Sequence, residues 1–301
     1  MLAELEKLST SPGAYVFVVV LGLLWGSFAN VCIYRWPPSD EFPRGRSVVR
    51  PGSHCFACKQ PIRWYDNVPI LSWLWLRGQC RNCHARFSPR YLIVEAVTGA
   101  LFGAAWWLIV VAWAGWEPFD ARLVKFAVYA AFCVVMVVIA FIDLDHKLIL
   151  NKVTVPSIVA FYVLGVVLLH RSWDTGLVGI AIGYGVPWLI GELYMRLRDR
   201  EGLGLGDGMM LALVGSLLGW RGVVVSLFGG SLIGIVIALA AFGVARRRRS
   251  HTQTEAPAGE MPEQASIMRT ELPFGPFLAM AALFYLFAEP WIELHFRLPG
   301  W

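Results

Sequence analysis

Two pairs of cysteines form the clearest metal-binding pattern in the sequence. Cys55 and Cys58 make the first pair, and Cys80 and Cys83 make the second after 21 intervening residues. Two residues between the thiols allow each pair to turn both sulfurs toward one ion, and this arrangement is typical of zinc ribbons. Four thiolates leave no open coordination position, so the pattern predicts a structural zinc ion. Unmetallated cysteine turns and a redox site are the alternatives.

Two aspartates form a second candidate site, suited to acid–base chemistry. Asp143 ends one apolar stretch, and Asp207 opens another directly after Gly204 and Gly206. Carboxylates at membrane depth are costly to bury, so they are functional candidates by default. Two such groups close together share one proton, which makes one an acid and the other a base. The charged member would polarise a water molecule while the neutral member hydrogen-bonds a scissile carbonyl, as in aspartic proteases. The two glycines would allow close approach of a substrate strand.

Asp145 competes with Asp143 for the first place in this pair. Residues two apart on a helix point to nearly opposite faces, so only one of the two carboxylates can face the interior of a bundle. Spacing alone leaves this choice open. A further alternative is that these aspartates are interfacial charges at helix ends that reach into water.

The elements that must position both sites are apolar helices. The chain of 301 residues is 57% hydrophobic and 16% charged, which is too much apolar surface for one soluble core. Eight stretches approach the roughly 20 apolar residues that cross a bilayer. They are 13–34, 92–115, 122–142, 153–170, 175–195, 207–220, 222–245 and 273–292. The sixth is short, so a re-entrant pair is the alternative for the sixth and seventh. The sequence therefore predicts an all-α polytopic membrane protein.

The distribution of basic residues predicts the orientation of these helices. Twenty of the 26 Lys and Arg residues fall in alternate loops, and basic residues favour the cytoplasmic side of the inner membrane. The cysteine loop, Asp143 and Asp207 are then cytoplasmic, and both termini are periplasmic. This topology and contact with anionic lipid head groups explain the net charge of +5, so nucleic acid is not an expected partner.

Composition divides the chain into five parts. The parts are a first transmembrane helix in 1–34, a cytoplasmic four-cysteine domain in 35–91, a transmembrane core in 92–245, a cytoplasmic linker in 246–272, and a last helix with the C-terminus in 273–301. The four-cysteine domain is too small for a robust apolar core, so its fold is expected to depend on the metal.

Taken in order, these residues resemble the type IV prepilin peptidases, which are membrane aspartyl proteases of the Gly-x-Gly-Asp type. The resemblance covers most of the chain. Besides the cysteines and aspartates, it is carried by Gly26-Ser27-Phe28-Ala29-Asn30-Val31, Tyr34-Arg35, Ile62-Arg63-Trp64-Tyr65-Asp66-Asn67-Val68-Pro69, Ser72-Trp73, Arg90-Tyr91, Glu95, Gly204-Leu205-Gly206 and Pro273-Phe274-Gly275-Pro276.

The resemblance implies that Asp143 and Asp207 are the catalytic pair, because the first aspartate of the family lies seven residues ahead of a proline position. Such enzymes cut the leader from type IV prepilins or pseudopilins on the cytoplasmic side. Many also methylate the new amino terminus with S-adenosylmethionine, and the four-cysteine loop is associated with that second activity. This chain carries Leu150 at the proline position and Met209 where a lysine is common.

Two other functions remain open at this stage. The aspartates could form a proton relay in a small carrier, although the chain shows no internal repeat of the kind found in many transporters. Alternatively, the chain could be a non-catalytic assembly factor whose zinc loop docks pilus machinery.

Overall fold

The computed structural model describes residues 2–112, 117–198, 204–252 and 273–296. Within these ranges the chain forms α-helices, a short 3₁₀ turn, a π-helical continuation of the fourth helix, and isolated β-bridges. The helices are α1 (Leu2–Ser9), α2 (Pro12–Arg35), α3 (Leu71–Trp75), α4 (Arg90–Ala105, continued by the π-helix Trp106–Ala112), α5 (Phe119–His146), α6 (Asn151–Val167), α7 (Trp173–Arg198), α8 (Leu205–Thr252) and α9 (Gly275–Phe296). The prediction of an all-helical fold is confirmed.

Several of these helices are long and apolar enough to cross a bilayer. Five stretches meet that description, namely Pro12–Arg35, Arg90–Ala112, Phe119–His146, Trp173–Leu197 and Leu205–Gly243. Two shorter apolar helices, Asn151–Val167 and Gly275–Glu289, accompany them. The fold is therefore that of a polytopic membrane protein. The predicted number of eight crossings stays a prediction.

The predicted sixth and seventh stretches both lie in α8, where two helical segments meet at Gly219. Gly219 interrupts this helix with φ 64° and ψ −173°, a backbone conformation that glycine adopts without a steric penalty. The break lies next to Trp220, where the sequence places the boundary between the two stretches. The helix then continues to Thr252, past the predicted end at residue 245. The predicted linker therefore begins as helix, and its part from 253 to 272 lies outside the described residues.

The first predicted part of the chain holds two helices instead of one. The short helix α1 ends before Ser11, whose hydroxyl oxygen accepts a hydrogen bond from the Ala14 N–H at 3.3 Å. Pro12 follows as the first residue of α2, where its missing N–H costs nothing. This cap and this proline fix the start of the long apolar helix.

Helices α2 and α4 pack with their backbones in close contact. A Cβ atom at Gly22 would lie 2.7 Å from the Phe102 Cβ, and one at Gly26 would lie 2.7 Å from the Glu95 Cα. Glycines four residues apart allow this approach in membrane helices. The contact places the Glu95 segment of α4 directly against α2.

The same kind of contact joins α7 to α8. A Cβ atom at Gly179 would lie 2.3 Å from the Gly215 carbonyl oxygen. Helix α5 connects the two helix groups, since it contacts α2 and α4 as well as α6 and α9. Its buried side chains include Phe132, Met136 and Ile142, and Asp143 is the last buried residue of this helix.

A buried ion pair fastens α9 to the rest of the bundle. The Glu289 carboxylate is 4% exposed and accepts hydrogen bonds from Arg171 Nη2, at 3.0 Å to Oε1 and 2.8 Å to Oε2. The Tyr129 hydroxyl of α5 also donates to Glu289 Oε2, at 2.9 Å. A buried charge is tolerated only when it is paired and hydrogen-bonded, and this one is both.

Candidate active site

Asp143 is held in the last turn of α5 by a backbone donor from another helix. Its side chain is buried, and its Oδ2 accepts a hydrogen bond from the Gly275 N–H at 2.9 Å. Helix α5 ends at His146, and the next residue, Lys147, has a left-handed backbone and donates its N–H to the Asp143 carbonyl at 2.8 Å. The end of α5 and the start of α9 therefore orient this carboxylate together.

Gly275 also belongs to this site, although no role was predicted for it from the sequence. A Cβ atom at Gly275 would lie 2.6 Å from Asp143 Oδ2, which is closer than real Cβ contacts. The absence of a side chain lets the amide reach the carboxylate. The Pro273–Pro276 segment carried part of the family resemblance, and its position opening an apolar stretch is the signal that could have indicated this contact.

Asp207 lies in the first turn of α8, half-buried, beside the same helix ends. The Gly204 backbone amide contacts its carboxyl group, and the Asp207 N–H donates to the Gly204 carbonyl at 3.1 Å. A Cβ atom at Gly206 would lie 3.2 Å from the Ile149 Cβ, so the start of α8 packs on the chain that leaves α5. The Asp143 and Asp207 carboxyl groups interact electrostatically in this arrangement.

Asp145 faces away from this pair. Its carboxylate forms an ion pair with the Arg90 guanidinium at the start of α4. The same guanidinium donates from Nη2 to the Phe141 carbonyl at 3.0 Å. Of the two carboxylates that compete at the end of α5, Asp143 is thus the one beside Asp207, as helical geometry requires for residues two apart.

Leu150 occupies the N-cap of α6 with φ −82° and ψ 112°. Its carbonyl accepts hydrogen bonds from Val153 N–H at 2.8 Å and Thr154 N–H at 3.0 Å, so α6 begins normally. A proline, with φ near −65 ± 15°, would lie close to this backbone conformation. The departure at Leu150 consequently leaves the local helix start intact.

The four cysteines of the loop converge on one point. Their sulfur atoms all lie within 4.8 Å of one another, with Cys55 Sγ 3.7 Å from Cys83 Sγ and Cys58 Sγ 4.0 Å from Cys80 Sγ. Tetrahedral zinc with Zn–S bonds of about 2.3 Å requires sulfurs about 3.8 Å apart. The cluster therefore fits a four-coordinate metal ion.

The two cysteine turns have the same backbone design. The Lys59 N–H donates to the Cys55 carbonyl at 3.0 Å, and the His84 N–H donates to the Cys80 carbonyl at 3.0 Å. Lys59 and His84 both have positive φ angles, 60° and 56°. Each turn thereby folds its second thiol back toward the first.

A backbone hydrogen bond favours the thiolate form of one of the four cysteines, Cys58. A hydrogen bond from the Gln60 backbone lowers the pKa of the Cys58 thiol to about 6. A thiolate is the form of cysteine that binds a metal ion.

An ion pair connects the second cysteine turn to the middle of the domain. Arg81 lies between Cys80 and Cys83, and its guanidinium donates to both oxygens of Asp66, with Nε 2.9 Å from Oδ2 and Nη2 2.5 Å from Oδ1. The Arg81 guanidinium holds the pKa of the Asp66 carboxyl below its usual range. Two parallel hydrogen bonds between a guanidinium and a carboxylate fix the relative orientation of the two groups in addition to the attraction between their charges.

Comparisons with known proteins agree with this division of the chain. Residues 20–109, which include the four cysteines, match the family described as bacterial Peptidase A24 N-terminal domain, and residues 130–239, which include both aspartates, match the type IV leader peptidase family. No solved structure matches the chain.

Curated relatives of the chain, three of which are described here, carry the name prepilin leader peptidase/N-methyltransferase. The chain is 34% identical to the protein of Myxococcus xanthus over 95% of both chains, and 32% identical to that of Aeromonas hydrophila over 92% of both. It is 33% identical to that of Neisseria gonorrhoeae, over 76% of this chain and 82% of the relative. With this identity over nearly the whole length, the chain belongs to the type IV leader peptidase family.

Proposed function

We propose that this chain cleaves the leader peptide of type IV prepilins or pseudopilins with Asp143 and Asp207, and then N-methylates the new amino terminus. The proposal is supported by the position of both aspartates at helix ends, near enough for their charges to interact, and by the hydrogen bond from the Gly275 N–H to Asp143 Oδ2. The names of the curated relatives supply the two reactions.

In the proposed cleavage the two carboxyl groups share one proton. The charged carboxylate removes a proton from a water molecule as the water attacks the scissile carbonyl, and the neutral carboxyl donates its proton to the carbonyl oxygen. The tetrahedral intermediate then collapses as the leaving amine receives a proton. Gly275 engages Asp143 Oδ2, which leaves Oδ1 for the shared proton or the water.

The proposed orientation places this chemistry on the cytoplasmic face of the inner membrane, with the termini in the periplasm. Both aspartates lie at helix ends rather than in the middle of an apolar helix, so they can reach a peptide bond just outside the hydrocarbon. A prepilin held in the bilayer by its own apolar helix would present its leader junction there. The proposed partners of the protein are thus the prepilin or pseudopilin precursor and the membrane lipid around its apolar helices.

The cysteine cluster is proposed to hold zinc in a structural role. Cys55, Cys58, Cys80 and Cys83 fill all four tetrahedral positions, so the ion would organise the domain rather than activate water. A cytoplasmic location would keep the thiols reduced and available to the metal.

The proposal is tested by co-expressing a prepilin precursor with the full-length enzyme and reading leader loss and the methyl increment separately by mass spectrometry. Asp143→Asn and Asp207→Asn should each abolish leader loss, since each removes an acid or base. Asp145→Asn is the matched control on the same helix and should keep cleavage. Cleavage that persists in both Asn variants of the pair would exclude the two-aspartate mechanism. A wild-type enzyme that leaves the precursor intact would instead favour the non-catalytic assembly factor.

A further inference from the structure

The four-cysteine domain carries an exposed apolar face on its short helix α3. Leu71, Leu74 and Trp75 are 67%, 55% and 83% exposed. These residues lie three and four positions apart, so their side chains project from the same side of the helix. We call them the apolar face of α3. A helix on the outer surface of a water-soluble domain would carry polar residues at such positions.

The other side of α3 faces protein. Trp73 and Leu76 line a cavity of about 450 Å³ between the four-cysteine domain and the adjoining ends of α2 and α4. The Ser72 hydroxyl donates to the Tyr65 carbonyl at 2.9 Å. These contacts fix the rotation of the helix about its axis, so the apolar face of α3 is held outward.

The start of α3 is tied to the interior of α4. The Ile70 N–H donates to Glu95 Oε2 at 2.8 Å, and Glu95 lies five residues after Arg90, the first residue of α4. Five residues of helix are about 7.5 Å long. A Cβ atom at Gly26, within α2, would lie 2.7 Å from the Glu95 Cα. Helix α3 therefore begins beside two apolar helices, not beyond their ends.

The surroundings of α4 at this depth are expected to be lipid. Ile93 and Val97, on either side of Glu95 in the sequence, are 50% and 39% exposed in a helix that is long and apolar enough to cross a bilayer. Outward apolar residues of such a helix face acyl chains. Helices that lie in a membrane surface bury their apolar side about 5–10 Å into the boundary between head groups and acyl chains. The depth of Glu95 falls within this range.

The residues next to α3 are of the types that favour a membrane surface. Trp64, in the 3₁₀ turn Trp64–Asn67 that precedes α3, is 82% exposed. Tryptophan is enriched where the bilayer meets water. Arg63 and Arg77 lie on either side of this segment in the sequence, and both are exposed. Anionic head groups attract guanidinium groups at such positions, so the charge pattern favours a lipid surface over an apolar protein partner.

We propose that α3 lies in the leaflet on the side of the four-cysteine domain, where acyl chains cover its apolar face and the guanidinium groups of Arg63 and Arg77 contact lipid phosphates. The four-cysteine domain is then attached to the membrane at a third place, in addition to α2 and α4. The inference concerns only the position of the domain in the bilayer, so it does not depend on the proposed function.

The first test uses the full-length wild-type protein in nanodiscs of phosphatidylethanolamine and phosphatidylglycerol, with a phospholipid that carries a photoreactive diazirine in the upper part of one acyl chain. After irradiation, mass spectrometry of peptides should find lipid adducts in residues 71–75 at a yield within about two-fold of that in residues 93–97.

Val49 is the control for this labelling. It is 77% exposed in the same domain, and Arg35 holds its surroundings near the end of α2 by donating to the Ser47 carbonyl at 3.0 Å and the Gly52 carbonyl at 3.2 Å. Adducts at Val49 should be about ten-fold fewer than in residues 71–75 because no acyl chain covers it. Adduct yields in residues 71–75 that are no higher than at Val49 overturn the proposal.

A second test identifies what covers the apolar face of α3. Trp75→p-benzoylphenylalanine places a photoreactive group on this face of the full-length protein, which is irradiated in cell membranes together with a co-expressed prepilin precursor. The substituted residue should form lipid adducts, and Val49→p-benzoylphenylalanine, the control, should form none. Crosslinks to a second copy of the chain or to the precursor, in place of lipid adducts, overturn the proposal.

The contribution of the two arginines is measured in the labelled nanodiscs with diazirine phosphatidylglycerol and diazirine phosphatidylcholine. Combining Arg63→Gln with Arg77→Gln should lower the ratio of phosphatidylglycerol to phosphatidylcholine adducts in residues 71–75 about two- to five-fold, since each guanidinium near an anionic surface attracts its lipids. The ratio in residues 93–97 should not change. An unchanged ratio in residues 71–75 overturns the assignment of Arg63 and Arg77 to lipid phosphates.

Discussion

Substitution of Gly275 by alanine tests whether a backbone amide sets the position of the Asp143 carboxyl group, which we propose to be catalytic. The added Cβ would lie 2.6 Å from Asp143 Oδ2, whereas ordinary contact begins near 3.4 Å. The carboxyl must therefore move by about 0.8 Å, and the 2.9 Å hydrogen bond from the Gly275 N–H must stretch or break. Displacements of about 1 Å at a reacting group cost about 100-fold in rate, or about 2.7 kcal/mol. We expect Gly275→Ala to lower the kcat of leader cleavage by about that factor.

The assay measures initial rates of precursor cleavage by full-length enzyme in membranes, together with the thermal midpoint of each purified variant. Gly206→Ala should cause an intermediate loss, because its Cβ would lie 3.2 Å from the Ile149 Cβ. Gly185→Ala is the matched control, since its Cβ would meet nothing within 4 Å. A Gly275→Ala enzyme that folds normally and cleaves at the wild-type rate would refute the reasoning.

Three further predictions follow from the remaining contacts. Cys58→Ser should lower the zinc content measured by mass spectrometry of the native protein, whereas leader cleavage should largely persist; full zinc occupancy in the variant would contradict a four-cysteine site. Asp66→Asn should make the loop about two- to five-fold more sensitive to limited proteolysis at pH 7, and the difference should persist down to about pH 4 and shrink as the pH falls further. The sign follows because the folded pKa of Asp66 lies below its unfolded value of about 3.9, so its pairing with Arg81 stabilises the domain above that pH and is lost as the pH falls through the folded pKa. A difference in proteolysis between variant and wild type that grows as the pH falls would contradict this prediction. Glu289→Leu should destabilise the protein by about 3–5 kcal/mol in a thermal or denaturant titration, because Arg171 then stays buried without its anion; an unchanged midpoint would show that the pair contributes nothing.

The sequence predicted those features that depend on short-range spacing or on apolar length. The two cysteine pairs indicated one cluster because each spacing is local, and their sulfurs do converge. The apolar stretches predicted the helices, and the glycine beside Trp220 marks the real interruption of α8. These signals are contained within a few neighbouring residues.

Contacts between residues that are far apart in the sequence could not be predicted from the spacing of residues. Asp143 and Asp145 are equivalent by spacing, and what separates them is Arg90, which pairs with Asp145 from 55 residues away. Gly275 reaches Asp143 across 132 residues. Glu95 lies inside the predicted stretch 92–115 and carried part of the family resemblance, but the cavity that it lines forms only where the four-cysteine domain meets α2 and α4.

The fastening of α9 at Glu289 affects how a mutational scan of this protein should be interpreted. Glu289 lies fourteen residues after Gly275 in α9, a length of about 21 Å at 1.5 Å per residue. Helix α9 is therefore held in place by the ion pair of Glu289, and it positions the Gly275 N–H at its other end. Loss of turnover after a change at Glu289 would accordingly indicate that α9 and its Gly275 N–H are displaced. It would not indicate that Glu289 is a third acid in the reaction.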